Sequence, residues 1–472
     1  MFEFLISGCM TKNKNRFPAL LFTLVFAIYA LWVFQPLLES FFDPQEFETF
    51  LNPLHSGVSL GGYLEDGWSC ENSQGNLMGF FRPLVSITYM MEYPLFGSNP
   101  VPYKLVNLVI HLLCCFCVAR LVMTLSRRKM LAVLSAMIFM LHPGTVVATG
   151  WISARSDLMA SLFSILALHW TLKISANSRF TWKSIIPALF TLLALACKEL
   201  GMANLIALPV AFFLWPGSKR SLRNTLYFLT SLMAVAIVYL LIRRVIFSGM
   251  GGYDDYTSIA SIPGHIAILV SQATGAMFVN KQIYRILLYG SIALTVVNYG
   301  RASLLQWRRI GVAFLIIGAY GFQSIISDTA THYAYVVSAF TVIFVVYFAG
   351  SIRFSVRFLR PVLTAAVLLL VFTAGLITHK ECINYKNKFV NGELVFHSLG
   401  NISDSLPDEI HEICYIRLSP APSTEPDLRN IPLYLKYIDA DNRCTFIFQR
   451  DDSDENNLPI LVWENNRIQI RR

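Results

Sequence analysis

Only 14% of the residues in this 472-residue chain are charged and 55% are hydrophobic, so the few side chains able to do chemistry stand out by position. Asp43, Glu46, Glu65, Asp66, Arg82, His142, Arg155, Asp157, Lys198, Glu199, Asp254, Asp255, Asp328 and His332 each fall at or just beyond the end of a long apolar run. An ionisable group near membrane depth costs about 2.5–3.5 kcal/mol on insertion scales, so such groups usually face a cavity and serve a task. This mixture suits a phosphate-bearing lipid. Arg, Lys and His would neutralise the phosphate, and a carboxylate would accept a proton as general base.

Each group also has a plainer reading. Arg155 and Asp157 could be an exposed interfacial pair, and Lys198 with Glu199 could satisfy each other between two short helices. His142-Pro143 could simply end a helix, since proline often follows a terminus. Arg82 could be a surface arginine, and Asp254-Asp255 sits in a Gly-rich loop where solvation is enough. None of these readings explains why all the groups fall on one side once the topology is drawn.

The topology follows from the apolar runs and the basic clusters between them. Phe17 to Phe34, Leu105 to Leu125, Leu226 to Leu241 and Val362 to Ile377 approach the ~20 residues needed to cross a bilayer. Lys12 to Arg16, Arg127-Arg128-Lys129, Lys219-Arg220, Arg308-Arg309 and Arg353 with Arg357 and Arg360 mark helix ends in the positive-inside pattern. The basic N-terminus resembles a signal peptide, but bulky Phe34-Gln35-Pro36-Leu37 offers no cleavage site, so an uncleaved first helix over 17–36 is expected. A long outer segment, 37–103, holds a short interfacial helix over Pro83 to Pro94. Further spans are expected over 104–125, 130–147, 158–174, 184–197, 202–216, 225–247 and 284–299, then on either side of Asp328 to Tyr335, and over 361–378.

The expected fold is an all-α polytopic membrane protein of about eleven spans with a small C-terminal tail. Residues 1–380 form the transmembrane domain and 381–472 an extracytoplasmic segment, with the N-terminus cytoplasmic. A bacterial inner membrane is the expected location.

The net charge of +9 lies in short clusters at helix ends, which argues against a nucleic-acid partner. The nine cysteines show no metal-ligand spacing, and Cys114, Cys115 and Cys117 read as packing residues. With the tail outside, Cys382, Cys414 and Cys444 are free to pair, also with Cys70, and Cys414 to Cys444 is favoured.

Four segments in order resemble GT-C class glycosyltransferases, especially the membrane half of the tetratricopeptide-bearing O-mannosyltransferases. They are Gly79-Phe80-Phe81-Arg82-Pro83-Leu84 with Tyr103-Lys104-Leu105-Val106-Asn107 and His111; Leu141-His142-Pro143 with Trp151 to Leu158; Cys197-Lys198-Glu199-Leu200-Gly201; and His332-Tyr333-Ala334-Tyr335. The resemblance covers about residues 37–340, and no tetratricopeptide periodicity appears after 380. It implies an inverting sugar transfer from a polyprenyl-phosphate donor to a hydroxyl of a glycan, lipid or protein acceptor. It also implies an acidic base soon after the first span. Asp43 is the first choice and Glu46 the second, with Asp66 of Glu65-Asp66-Gly67-Trp68 as fallback. Arg82, His142, Arg155, Asp157, Lys198, Glu199, His332 and Tyr335 are the residues expected around the donor phosphate, although relatives often carry arginine where His332 stands.

No nucleotide-binding Gly-rich loop is present, consistent with a lipid-linked donor. No cofactor is assigned, and a divalent metal is left open. A polysaccharide polymerase or O-antigen-type ligase is the alternative, one that would lean on arginines and histidine rather than on a first-loop carboxylate. A transporter would place charges at the midplane and show repeated halves, and neither is seen.

Overall fold

The computed structural model describes residues 28–59, 61–62, 69–71, 77–79, 81–176, 182–216, 221–247, 261–275, 304–326, 331–349, 359–405, 413–417, 434, 445–449, 460–464 and 467–471. Lipid cannot hydrogen-bond backbone N–H and C=O groups, so a long apolar run satisfies them within itself and becomes a helix. Among the described residues four helices are long and apolar enough to cross a membrane, namely Pro100–Ser126, Ile152–Ser175, Leu222–Val245 and Thr331–Phe348. Shorter apolar helices cover Ile28–Leu38, Trp182–Leu195, Glu199–Leu214 and Ile262–Ala273. Leu226, Met233, Ile237 and Leu241 lie exposed along one helix, as residues facing lipid do. The protein is a largely helical, polytopic membrane protein. The expected span at 284–299 lies outside the described residues.

Two elements differ from expectation. The run at 130–147 is broken into Lys129–Met140 and Pro143–Gly150, which meet at 58°. Pro143 is the cause, because the residue before a proline is driven out of the helical region; His142 has ψ 119°. The last helix, Leu359–Ser405, does not stop near 378 but runs unbroken for 47 residues, about 70 Å at 1.5 Å per residue. The boundary drawn at 380 from composition falls inside it.

Strands add to the all-α expectation. Ser69–Glu71 (β1) pairs antiparallel with Leu77–Gly79 (β2) in the first loop. Ile413–Arg417 (β3), Thr445–Gln449 (β4), Ile460–Glu464 (β5) and Arg467–Arg471 (β6) form a sheet in the order β4-β3-β5-β6. There β3 runs parallel to β4 and β5, and β5 antiparallel to β6.

The helix over Leu359–Ser405 docks on the chain's beginning. Phe396 packs against Phe41 and Phe47 with both ring centroids at 5.4 Å, and Tyr434 meets Phe47 at 4.9 Å. Lys386 Nζ pairs with Glu39 Oε2 at 2.7 Å, and Thr378 Oγ1 donates to the carbonyl of Leu141 at 2.6 Å. Gly150 lies under this seam. A Cβ there would meet Leu37 Cδ1 at 2.6 Å and Tyr385 Cε1 at 2.9 Å, so only glycine lets the three elements close.

Cys382 faces inward from the same helix, fully buried and with a free thiol. This corrects its expected availability for a disulfide: burial removes the sulfur from any partner in the tail. The favoured pairing of Cys414 is with Cys444, which lies outside the described residues. Cys382 should therefore resist a membrane-permeant maleimide in the folded protein and react fully after denaturation. Rapid labelling in the native state, read by intact mass on a variant lacking the other cysteines, would contradict this packing.

Candidate active site

The segment Trp151 to Asp157 is the spine of the site, because nearly every residue in it holds a different element. The carbonyl of Ile152 accepts from Tyr89 Oη at 2.7 Å, and that of Trp151 from Asn107 Nδ2 at 3.1 Å. The Ile152 N–H donates to Glu46 Oε1, and Ser153 Oγ lies 2.9 Å from Thr49 Oγ1. Ser156 Oγ accepts from Arg82 Nη1 at 3.5 Å, and Asp157 takes Lys198 Nζ on both oxygens at 2.8 and 2.7 Å. Five residues of helix rise about 8 Å, so the first-loop carboxylates and the cations lie at the two ends of one short strut.

On the carboxylate side, Asp43-Pro44-Gln45-Glu46 is a capping box that starts a short helix. Asp43 Oδ1 accepts from the N–H of Gln45 at 3.0 Å, and Glu46 Oε2 accepts from the N–H of Asp43 at 2.9 Å. An acidic N-cap with proline at the first helical position and glutamate three on is a sequence-level signal for this motif. Glu46 is fully buried, with one oxygen on Asp43 and the other on Ile152. Both of its oxygens are engaged in backbone hydrogen bonds. Asp43 is half-buried and keeps an oxygen clear of the cap. Burial pushes its carboxyl above the usual range, and the Gln45 N–H, Lys388 and Lys104 oppose that rise. Of the two bases expected here, the geometry favours Asp43. Asp66 lies outside the described residues, as do Glu65, Asp254, Asp255 and Asp328.

On the cation side, the backbone N–H of Leu84 donates to the carbonyl of Ala196 at 3.1 Å, which sets Arg82 beside Lys198 and Glu199. Gly201 lets the turn after Glu199 fold back, since a Cβ there would meet Leu195 N at 2.6 Å. Lys198 and Glu199 do not pair with each other. Lys198 joins Asp157, both nearly fully buried, and stands over the Tyr333 ring at 4.4 Å. Glu199 is shared between two arginines, Arg82 at 3.4 Å and Arg243 at 3.1 Å. His332 is buried edge-on to Trp151 at 4.8 Å, and Trp151 Nε1 is itself buried without a hydrogen-bond partner among the described residues. Among the described residues Arg82, Arg243 and Lys198 thus gather with Asp157 and Glu199.

Three expected phosphate ligands have other duties. Arg155 is fully buried and gives its donors to Asn107 Oδ1 (2.8 Å), Thr88 Oγ1 (2.9 Å), Glu92 Oε1 (2.7 Å) and the Tyr103 carbonyl (3.2 Å). It clamps the interfacial helix Pro83–Phe96 to its neighbours. His142 caps a short turn, its Nδ1 accepting from the N–H of Gly144 at 3.1 Å, which is the plainer reading of His142-Pro143. Tyr335 Oη is 2.7 Å from His111 Nδ1 in the fully buried core. The polar atoms of Arg155 and Tyr335 are engaged within the core, whereas His142 keeps Nε2 buried without a hydrogen-bond partner among the described residues. Arg243 was missed. The available signal was Arg243-Arg244 at the span end that the topology expected from sequence puts outside, against the positive-inside pattern. Among the described residues no three His, Cys, Asp or Glu side chains gather to hold a metal.

No protein-family model matches the chain. In sequence it is 27% identical over 152 residues to the protein O-mannosyl-transferase TMTC3 of Mus musculus, covering 32% of this chain and 16% of that protein. It is 26% identical over 199 residues to the protein O-mannosyl-transferase F38B6.6 of Caenorhabditis elegans, covering 40% and 27%. The chain therefore matches less than a third of the length of these curated relatives. In structure it is similar to ArnT from Cupriavidus metallidurans bound to undecaprenyl phosphate, with a TM-score of 0.54 and 13% identity over 92% of this chain and 86% of that one. At that identity the likeness is one of fold. Part of the chain is thus similar in sequence to protein O-mannosyl-transferases, and its fold is similar to that of ArnT.

Proposed function

We propose that the protein is a membrane glycosyltransferase that moves a sugar from a polyprenyl-phosphate donor to a hydroxyl acceptor, with inversion. The observation that carries this reading is the strut from Asp43 to the Arg82, Arg243 and Lys198 cluster. It sets a part-open carboxylate at one end of that segment and a buried cluster of Arg82, Arg243 and Lys198 at the other. The acceptor hydroxyl gives its proton to Asp43 as its oxygen attacks the anomeric carbon from the face opposite the phosphate. The bond from that carbon to the phosphate oxygen breaks, and the polyprenyl phosphate leaves with one more negative charge than the donor carried. Arg82, Arg243 and Lys198 receive that charge, the part of the step where preorganised electrostatics contributes most.

The same reading places the first loop and the tail on the outer face of a bacterial inner membrane, the N-terminus in the cytoplasm, and about eleven spans in the bilayer. The acceptor is a glycan, lipid or protein hydroxyl. The test uses the full chain in detergent with a panel of polyprenyl-phosphate sugars, with magnesium or with EDTA, and mass spectrometry of the released lipid. Free polyprenyl phosphate is the expected product. Release only from diphosphate-linked glycans would replace this reading with a polymerase or ligase.

A further inference from the structure

Lys104 lies in the second turn of the helix Pro100–Ser126 and is completely buried, yet no carboxylate touches it among the described ion pairs. Its ammonium instead spends its three donors on two residues of the first loop. Nζ donates to the Ser40 carbonyl at 2.6 Å, to Ser40 Oγ, and to the Phe41 carbonyl at 2.9 Å. Phe42 and Asp43 come next in the chain. Burying an ammonium costs several kcal/mol that hydrogen bonds to carbonyls alone recover poorly, and a neutral donor would serve to hold a loop. The positive charge therefore needs its own explanation, and Asp43 and Glu46 both lie within its field.

We propose that Lys104 is a positioning residue for the base. It fixes the approach of the chain to Asp43 through the carbonyls of residues 40 and 41, and its buried charge keeps Asp43 ionised in a site poor in water. This rests on the assignment of Asp43 as the base. The other groups acting on this pair are Glu46 in the same short helix, and Tyr385, Lys388 and Glu393 on the helix Leu359–Ser405. Lys388 acts on Asp43 more than Lys104 does in the bare charge balance, but it is exposed and screened by water, and Lys104, whose first charged partner is Glu46, is buried. The sign follows. Burial already raises the Asp43 carboxyl, and losing an opposing buried cation raises it further.

The test compares Lys104→Met and Lys104→Arg in the full chain with two readouts. The first is the pH profile of lipid-phosphate release. The second needs no turnover: modification of Asp43 by a membrane-permeant carbodiimide, which labels protonated carboxyls, followed by mass spectrometry across pH. Lys104→Met should move the acid limb and the labelling midpoint up in pH. Lys104→Arg should lower the rate but leave both midpoints in place. If Lys104→Met does not fold, Lys104→Gln, which keeps two donors but no charge, should give the same shift. A lower rate with unmoved midpoints in the neutral variants would make Lys104 a structural tie only and overturn the proposal. A shifted labelling midpoint together with an active Asp43→Asn enzyme would overturn it through the base assignment instead.

Discussion

Asp43→Asn is expected to reduce sugar transfer by about 10²-fold or more while leaving the protein folded and the lipid donor bound. The amide keeps the shape of the carboxyl, and its oxygen can still accept from the Gln45 N–H, so the capping turn stays closed. It cannot take the hydroxyl proton. In the parent protein the acid limb of the rate should lie above the ordinary carboxylate range, because burial raises Asp43 and the base must be ionised. Glu46→Gln should act differently, weakening the cap that joins the first loop to Ile152. An Asp43→Asn enzyme with full turnover would move the base elsewhere, first to Asp66.

Arg155→Ala is expected to lower stability by roughly 3–5 kcal/mol, the typical result of removing one member of a buried pair. Glu92 would lose its 2.7 Å partner, and Asn107 Oδ1 and the Tyr103 carbonyl would lose their donors within the same core. Arg155→Lys should rescue little, because one ammonium with three donors cannot reach four acceptors that a planar guanidinium spans. Thermal unfolding in detergent measures the loss. Affinity for polyprenyl phosphate, measured where the variant is still folded, should stay near the parent value. An Arg155→Ala protein with an unchanged melting temperature and lost lipid affinity would return Arg155 to the phosphate site.

The sequence made part of the site readable and left its pairings obscure. Arg82, Asp157, Lys198, Glu199 and His332 do gather, but Arg243 escaped the reading, and Arg155, His142 and Tyr335 share the helix-end signal without joining the cluster. Which cation meets which carboxylate depends on helix rotation, and helices apolar on every face carry no stripe that sets rotation. Lys198 thus reaches across to Asp157 rather than to its neighbour. Arg155 sits two residues from Asp157 yet turns to the interfacial helix, a choice fixed by Glu92, Thr88 and Asn107 far away in the chain. The capping box at Asp43 was local and legible, and only its competing appeal as a pair of catalytic acids hid it. The length of the last helix was not legible, since hydropathy reports where lipid ends and not where a helix does.

The seam between the two ends of the chain has a consequence for biosynthesis. Glu39 and Lys386 are 347 residues apart, and the aromatic cover over Phe41 and Phe47 arrives with Phe396 and Tyr434. At about 5–20 residues per second, the loop that carries Asp43 waits roughly 20–70 s on the ribosome for its lid of side chains. During that interval Phe41, Phe42 and Phe47 are a nascent apolar patch at the membrane surface. A chain cut short before the last helix would then insert its early spans and still leave this patch uncovered, giving quality-control proteases a clear mark by which to find it.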